Sequence, residues 1–181
     1  MHWTLQKELL CHISPFFKAA CEGKFHEAVH NQIVLPEEDV DSFELFVQWL
    51  YTGHFVKSQD TWTERAWVLG DKLGISAFKD QAMTQLLDEY ASSPFFPFNK
   101  NVVEYVYTHT TAASKLRILT VDAVVYGFKT MQTSANEYSE LSAQGGDFVT
   151  DFMGVIQSAF EQDYQSPLEK RGKYLENPIL Q

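Results

Sequence analysis

The chain has 181 residues, 45% of them hydrophobic, with fourteen Phe and four Trp; that supply of apolar surface supports a packed core and excludes global disorder. The formal net charge is −10 and the isoelectric point near 4.9. Phosphate-directed nucleic-acid binding and attachment to an anionic membrane surface both need Lys/Arg patches, so neither is expected here. No apolar run approaches the ~20 residues of a membrane-spanning helix. Residues 1–7 carry no apolar core of signal-peptide length, and an intracellular chain, in cytoplasm or nucleus, is expected.

Residues 7–20 place Leu9, Leu10, Ile13, Phe16, Phe17 and Ala20 at three- and four-residue spacing, which is the pattern of one apolar helical face. Pro15 lies inside that stretch, so a kink or a break with a new helical start near Ser14 is expected. Gly23 is expected to end the element. Cys11 and Cys21 are ten residues apart. On one predicted helix their Cα atoms stand about 15 Å apart, too far to bridge, and both read as small buried apolar residues. Ile33, Val34 and Leu35 form a short β-rich run stopped by Pro36.

Asp41 or Ser42 is expected to cap the next helix, with Glu44 near the capping-box position. Its apolar face is Phe43, Phe46, Val47, Leu50 and Tyr51, and Gly53 terminates it. A further helix runs from Thr61 or Thr63 to Leu73, closed by Gly74. Another begins near Ser76 and carries Phe78, Ala82, Met83, Leu86, Leu87 and Tyr90. Trp49 and Trp67 fall on apolar helical faces and read as core.

The run Ser92, Ser93, Pro94, Phe95, Phe96, Pro97 is the strongest boundary in the chain. Beyond it Val102, Val103, Val106 and Tyr107 recur at helical spacing, with Asn99 as cap. Residues 116–128 form a strongly apolar helical stretch. Gln144, Gly145 and Gly146 read as a turn, after which Asp147 caps a helix bearing Phe148, Phe152, Ile156, Ala159 and Phe160. The tail 166–181 is polar and is expected outside the core. The predicted organisation is a domain over 1–92, a helical extension over 98–165 and the polar tail.

Chemistry-bearing patterns are few. His26-Glu27-Ala28-Val29-His30 spells H-E-x-x-H, in which two His on one helical face hold zinc and the Glu polarises a metal-bound water. Gly23 precedes the pattern by three residues and the β-rich run follows by three. A helix of little more than two turns with no apolar stripe is a poor scaffold for it. A zinc hydrolase is therefore the disfavoured alternative, and no catalytic residue, metal or cofactor is expected. No Ser or Cys has a His and carboxylate set around it, and the glycines do not cluster as a phosphate loop.

Three blocks carry a family resemblance: LLCHISPFFKAACEGKFHEA (9–28), IVLPEEDVDSFELFVQWLYTG (33–53) and AWVLGDKLGISAFKDQAM (66–83). In order and spacing they resemble the core of a BTB/POZ domain, with the closest likeness to BTB proteins of filamentous fungi. Tyr105-Val106-Tyr107, Leu116-Arg117 and Val121-Asp122 match a pattern seen after that core. The resemblance implies an α+β, predominantly α-helical fold with a BTB/POZ-like core followed by an α-helical extension. It also implies a function in binding proteins rather than in chemistry. Phe25-His26-Glu27 fits the apolar-x-Glu pattern with which some BTB proteins bind cullin scaffolds of ubiquitin ligases. In that reading Phe25 fills a partner pocket, Glu27 accepts hydrogen bonds, and Phe16, Tyr51 and the helix at 41–51 lie on the same side. The competing reading makes Phe25 a core anchor and Glu27 a solvated charge. The alternative is a self-associating scaffold, homodimeric through the BTB region, or a transcription-linked BTB protein, in either case without cullin contact.

One departure stands out. Family members begin with a β-hairpin before the first helix, ending in a Val-His-Lys-like stretch. Here only residues 1–6 precede that helix, and Gln6 stands where His is usual. An N-terminally truncated core is expected, with the strand at 33–35 left with an unpaired edge that Trp3 to Leu5 at most, or a second chain, would complete.

Overall fold

The first apolar stripe is split at Ser14. In the computed structural model, which describes residues 2–22, 32–36, 38–56, 62–93, 95–161 and 164–178, α1 spans Lys7–Ile13 and α2 Pro15–Glu22, with Ser14 extended between them (φ −125°, ψ 116°). Pro15 takes the first position of α2, where its missing N–H has no helical partner to lose. The buried Ser14 hydroxyl donates to the Leu73 carbonyl at 2.6 Å and accepts the Phe17 amide at 3.2 Å. The expectation of one helix carrying Cys11 and Cys21 about 15 Å apart fails for this reason, because the chain changes direction between them.

Two compact units divide the chain, Met1–Ala82 and Met83–Gln181. In the first, α3 (Val40–Thr52) is capped by Asp39, whose carboxylate accepts from the Ser42 amide at 3.0 Å and the Ser42 hydroxyl at 2.8 Å. The cap is thus two or three residues earlier than the sequence pattern suggests. Asp39 has the extended backbone an N-cap needs, whereas Asp41 and Ser42 are already helical. Gly53 (φ 76°) ends α3, and Gly74 (φ 70°) ends α4 (Thr63–Leu73). A Cβ at Gly74 would also stand 3.3 Å from the Pro15 ring, so both backbone conformation and space favour glycine. The fifth helix, α5 (Ser76–Ser92), contains the boundary between the units.

The first unit is built around Phe46 and Phe78, both fully buried. Phe46 meets Phe17 at 6.0 Å, Phe43 at 5.4 Å and Phe78 at 5.7 Å between ring centroids. Phe78 in turn meets Trp49 at 5.3 Å and Phe55 at 5.5 Å. Each such pair contributes about 0.5–1.5 kcal/mol beyond area burial. Trp67 is buried in α4 beneath the Lys79 ammonium, 4.9 Å from its ring centre. Among the described residues no strand forms. Residues 33–35, expected as a strand, join no β-ladder. Their β propensity expresses itself only where a neighbouring backbone supplies hydrogen bonds.

In the second unit, α6 (Lys100–His109) is capped by Asn99 and α7 (Lys115–Lys129) by Ser114. A 3-10 turn (Ala135–Tyr138), α8 (Ser139–Gln144), α9 (Asp147–Glu161) and a second 3-10 segment (Pro167–Tyr174) follow. The helix α7 is buried on nearly every side, with Leu116, Leu119, Ala123 and Val124 wholly inaccessible, as an almost uniformly apolar helix must be. Its two buried charges are satisfied. Arg117 donates to the Tyr107 and Thr110 carbonyls at 2.7 and 2.6 Å and pairs with Asp147 at 2.8 Å. Asp122 accepts from the Tyr164 and Tyr174 hydroxyls and from Lys173. That second cluster corrects the expectation for the polar tail. Tyr174 and Leu175 are buried, because the Asp122 carboxylate, once inside, requires donors that the tail supplies.

Ser14→Ala should destabilise the first unit by about 1–3 kcal/mol, since the Leu73 carbonyl and Phe17 amide lose a buried partner; urea denaturation of the two proteins measures it. A second expectation concerns alkali. Burial pushes the Tyr90 and Tyr138 phenols up to about 12, while unfolded tyrosine ionises near about 10. The unfolded chain therefore loses these protons first. Their stabilising contribution is whole below about pH 10 and is lost as pH rises through about 12. The denaturation midpoint should fall between pH 9 and 11.5, and absorbance at 295 nm should show late-titrating tyrosines in the folded protein.

Candidate protein-binding surface

Phe16 and Phe17 are adjacent in α2 and part company at the surface. Phe17 points into the core, 3% exposed, and Phe16 is 38% exposed with its ring 5.3 Å from that of Phe17 in an edge-on contact. Tyr51, near the end of α3, is 52% exposed. It follows from the helical register: Phe43 and Phe46 turn inward, and Tyr51 falls past the buried face. Among the described residues no ring contact joins Phe16 to Tyr51. Phe25, Glu27, His26 and His30 lie outside the described residues. Among those described, no three His, Cys, Asp or Glu side chains converge as a metal site, and no helix is long and apolar enough to cross a membrane.

Sequence reasoning missed a concavity of the first unit. A groove of about 850 Å³ is bordered by Trp3, Thr4 and Leu5 and by Ile33, Val34 and Leu35, over a floor that includes Leu10, Phe17 and Phe43. Trp3 packs on Phe43 with 5.8 Å between ring centroids. Among the described residues, neither border makes a backbone hydrogen bond apart from the Leu35 carbonyl, which accepts the Glu38 amide at 3.4 Å. Val34 is 70% and Val40 40% exposed. The rim is electrostatically quiet, for Glu38 pairs with Lys72 at 2.8 Å. The signal that could have found this place was the β-rich run itself, which joins no ladder among the described residues.

A shallower hollow of about 490 Å³ follows residues 168–173, but its Arg171 and Lys173 already pair with Asp88 and Asp122. The Asp122 cluster is a clamp rather than an acid–base centre. Three donors occupy the carboxylate, and burial together with Asp122 itself holds the Tyr164 and Tyr174 phenols far above the ordinary tyrosine range. Tyr107 is held up likewise by burial and by its hydrogen bond to Asp151.

Residues 3–90 match the family model described as the BTB/POZ domain. No curated protein and no solved structure matches the chain.

The backbone amides of Ile33, Val34 and Leu35 should exchange with deuterium far faster than those of Leu45 and Phe46 in α3, because only the latter are held in a buried helical ladder. Exchange read by mass spectrometry tests this, and equal protection would mean that the run is paired in solution.

Proposed function

The chain belongs to the BTB/POZ family through residues 3–90, a family of protein-interaction modules, and we propose that it serves as an adaptor or scaffold for a cullin-type ubiquitin ligase. The observation that carries this reading is the exposure of Phe16 and Tyr51, which with Trp62 are the aromatic rings left exposed among the described residues of the first unit. Exposed aromatic anchors are the side chains that dominate protein interfaces. In this reading they flank the Phe25-His26-Glu27 segment, Phe25 enters a pocket on the cullin, and Glu27 accepts hydrogen bonds at its rim. The second unit then presents the substrate-facing surface. Its exposed Phe95, Met131 and Met153 support that role, since unpaired methionines adapt readily to apolar partners.

A second reading rests on the groove. Two bordering segments with unused backbone donors and acceptors, above an apolar floor, suit an extended segment of another chain, including a second copy. Such a strand would complete the β component of the α+β fold. This reading is a self-associating scaffold and needs no cullin.

Phe25→Ala should weaken cullin binding by roughly 2 kcal/mol or more, the scale of an interface hot spot. Glu27→Ala should weaken it too, and circular dichroism should show both variants folded. Unfolding of Phe25→Ala would make Phe25 core, and absence of micromolar affinity in the parent protein would end the adaptor reading. For the second reading, light scattering over a concentration series should find dimers that Val34→Pro reduces, because proline removes a strand donor. A concentration-independent monomer would refute it.

A further inference from the structure

Cys11 and Cys21 fall on different helices because the chain breaks at Ser14. The Cys11 thiol stands 3.8 Å from the Phe17 carbonyl. That carbonyl lies four residues before Cys21 in α2 and is the helical acceptor for the Cys21 amide. Cys11 is thus laid against the turn of α2 that carries Cys21, close enough for each thiol to feel the other's charge. Both are free and half-buried. Cys21 also lines the groove beside Leu10 and Phe17, which gives a small reagent a path to the pair. We propose that Cys11 and Cys21 form a single modification site, a dithiol that a small-molecule disulfide oxidises to an intramolecular disulfide joining α1 to α2.

The exchange balances without any group from elsewhere in the protein. One thiolate attacks a sulfur of the reagent, forming a mixed disulfide and expelling one thiolate that takes up a proton. The neighbouring cysteine then attacks the protein-side sulfur, closes the Cys11–Cys21 bond and releases the second reagent thiol. Two protein thiols are oxidised and one disulfide is reduced to two thiols. Burial, then the hydrogen bond and charge of Cys11, raise the Cys21 thiol, and Glu22 adds to this, while the Lys7 ammonium opposes it. Attack through Cys21 is therefore slow at neutral pH, whereas the closing step is intramolecular between cysteines on adjoining turns and fast. The mixed disulfide should not accumulate.

The full folded chain, incubated with glutathione disulfide, is read by intact mass under non-reducing conditions. The expected product is a monomer lighter by about 2 Da, restored by dithiothreitol. Trypsin cuts after Lys7, Lys18 and Lys24, so the two cysteines leave on separate peptides, 8–18 and 19–24, and a linked pair proves the bond. Cys11→Ser and Cys21→Ser should each stop at the stable glutathione adduct, lacking the resolving thiol. A parent protein that accumulates the same adduct, or keeps two free thiols while a model peptide thiol is oxidised, would overturn the proposal. So would a linked pair found in covalent dimers and not in the monomer.

Discussion

The Ser14 hydroxyl donates to the end of α4 and caps the start of α2 with the same oxygen, and much of the first unit follows from that double bond. Pro15 forbids a continuous helix, but a proline alone sets no direction. The bond to the Leu73 carbonyl fixes where the chain turns. Once α2 leaves at that angle, Phe17 reaches Phe46 and Phe16 is left at the surface. The same turn brings Cys11 beside the last turn of α2 and lays Leu10 and Phe17 side by side in the groove floor. Gly74 accommodates it, with no Cβ to meet the Pro15 ring.

The second unit is organised by the opposite problem. Its central helix is apolar enough to be surrounded, yet it carries Arg117 and Asp122. A buried charge is tolerated only when its hydrogen-bonding capacity is used. Arg117 therefore gathers the end of α6 and the start of α9. Asp122 gathers Tyr164, Lys173 and Tyr174. These demands fold a polar tail inward, at the cost of desolvating the Tyr164 and Tyr174 phenols.

The binding surface and the groove answer different physical needs. Phe16, packed edge-on against Phe17, and Tyr51 are exposed aromatics on helices, suited to filling pockets. The groove borders are irregular backbone with unused polar groups, suited to pairing with another backbone. In the two proposed readings one surface serves side-chain recognition and the other strand recognition, and nothing requires a single partner to use both.

Local chemistry was legible in the sequence. Pro15, Gly53, Gly74 and Asn99 marked their helix ends because proline and positive-φ glycine act within one turn. The three blocks at 9–28, 33–53 and 66–83 carried the family, and apolar spacing named Phe46, Phe78 and Trp67 as core. The exposed Phe16 and Tyr51 could be nominated only through the family pattern, for periodicity alone assigned both to apolar faces. What depends on distant partners was decided by tertiary structure. A β-rich run at 33–35 is a strand only if a ladder exists, and Asp39 rather than Asp41 caps α3 because the backbone before it is extended. The tail packs inward because Asp122 needs donors, and Cys11, far from Cys21 along a straight helix, lies across the break against the turn that carries it. Each of these turns on where a second group lies in space, and sequence spacing measures distance only along an unbroken element.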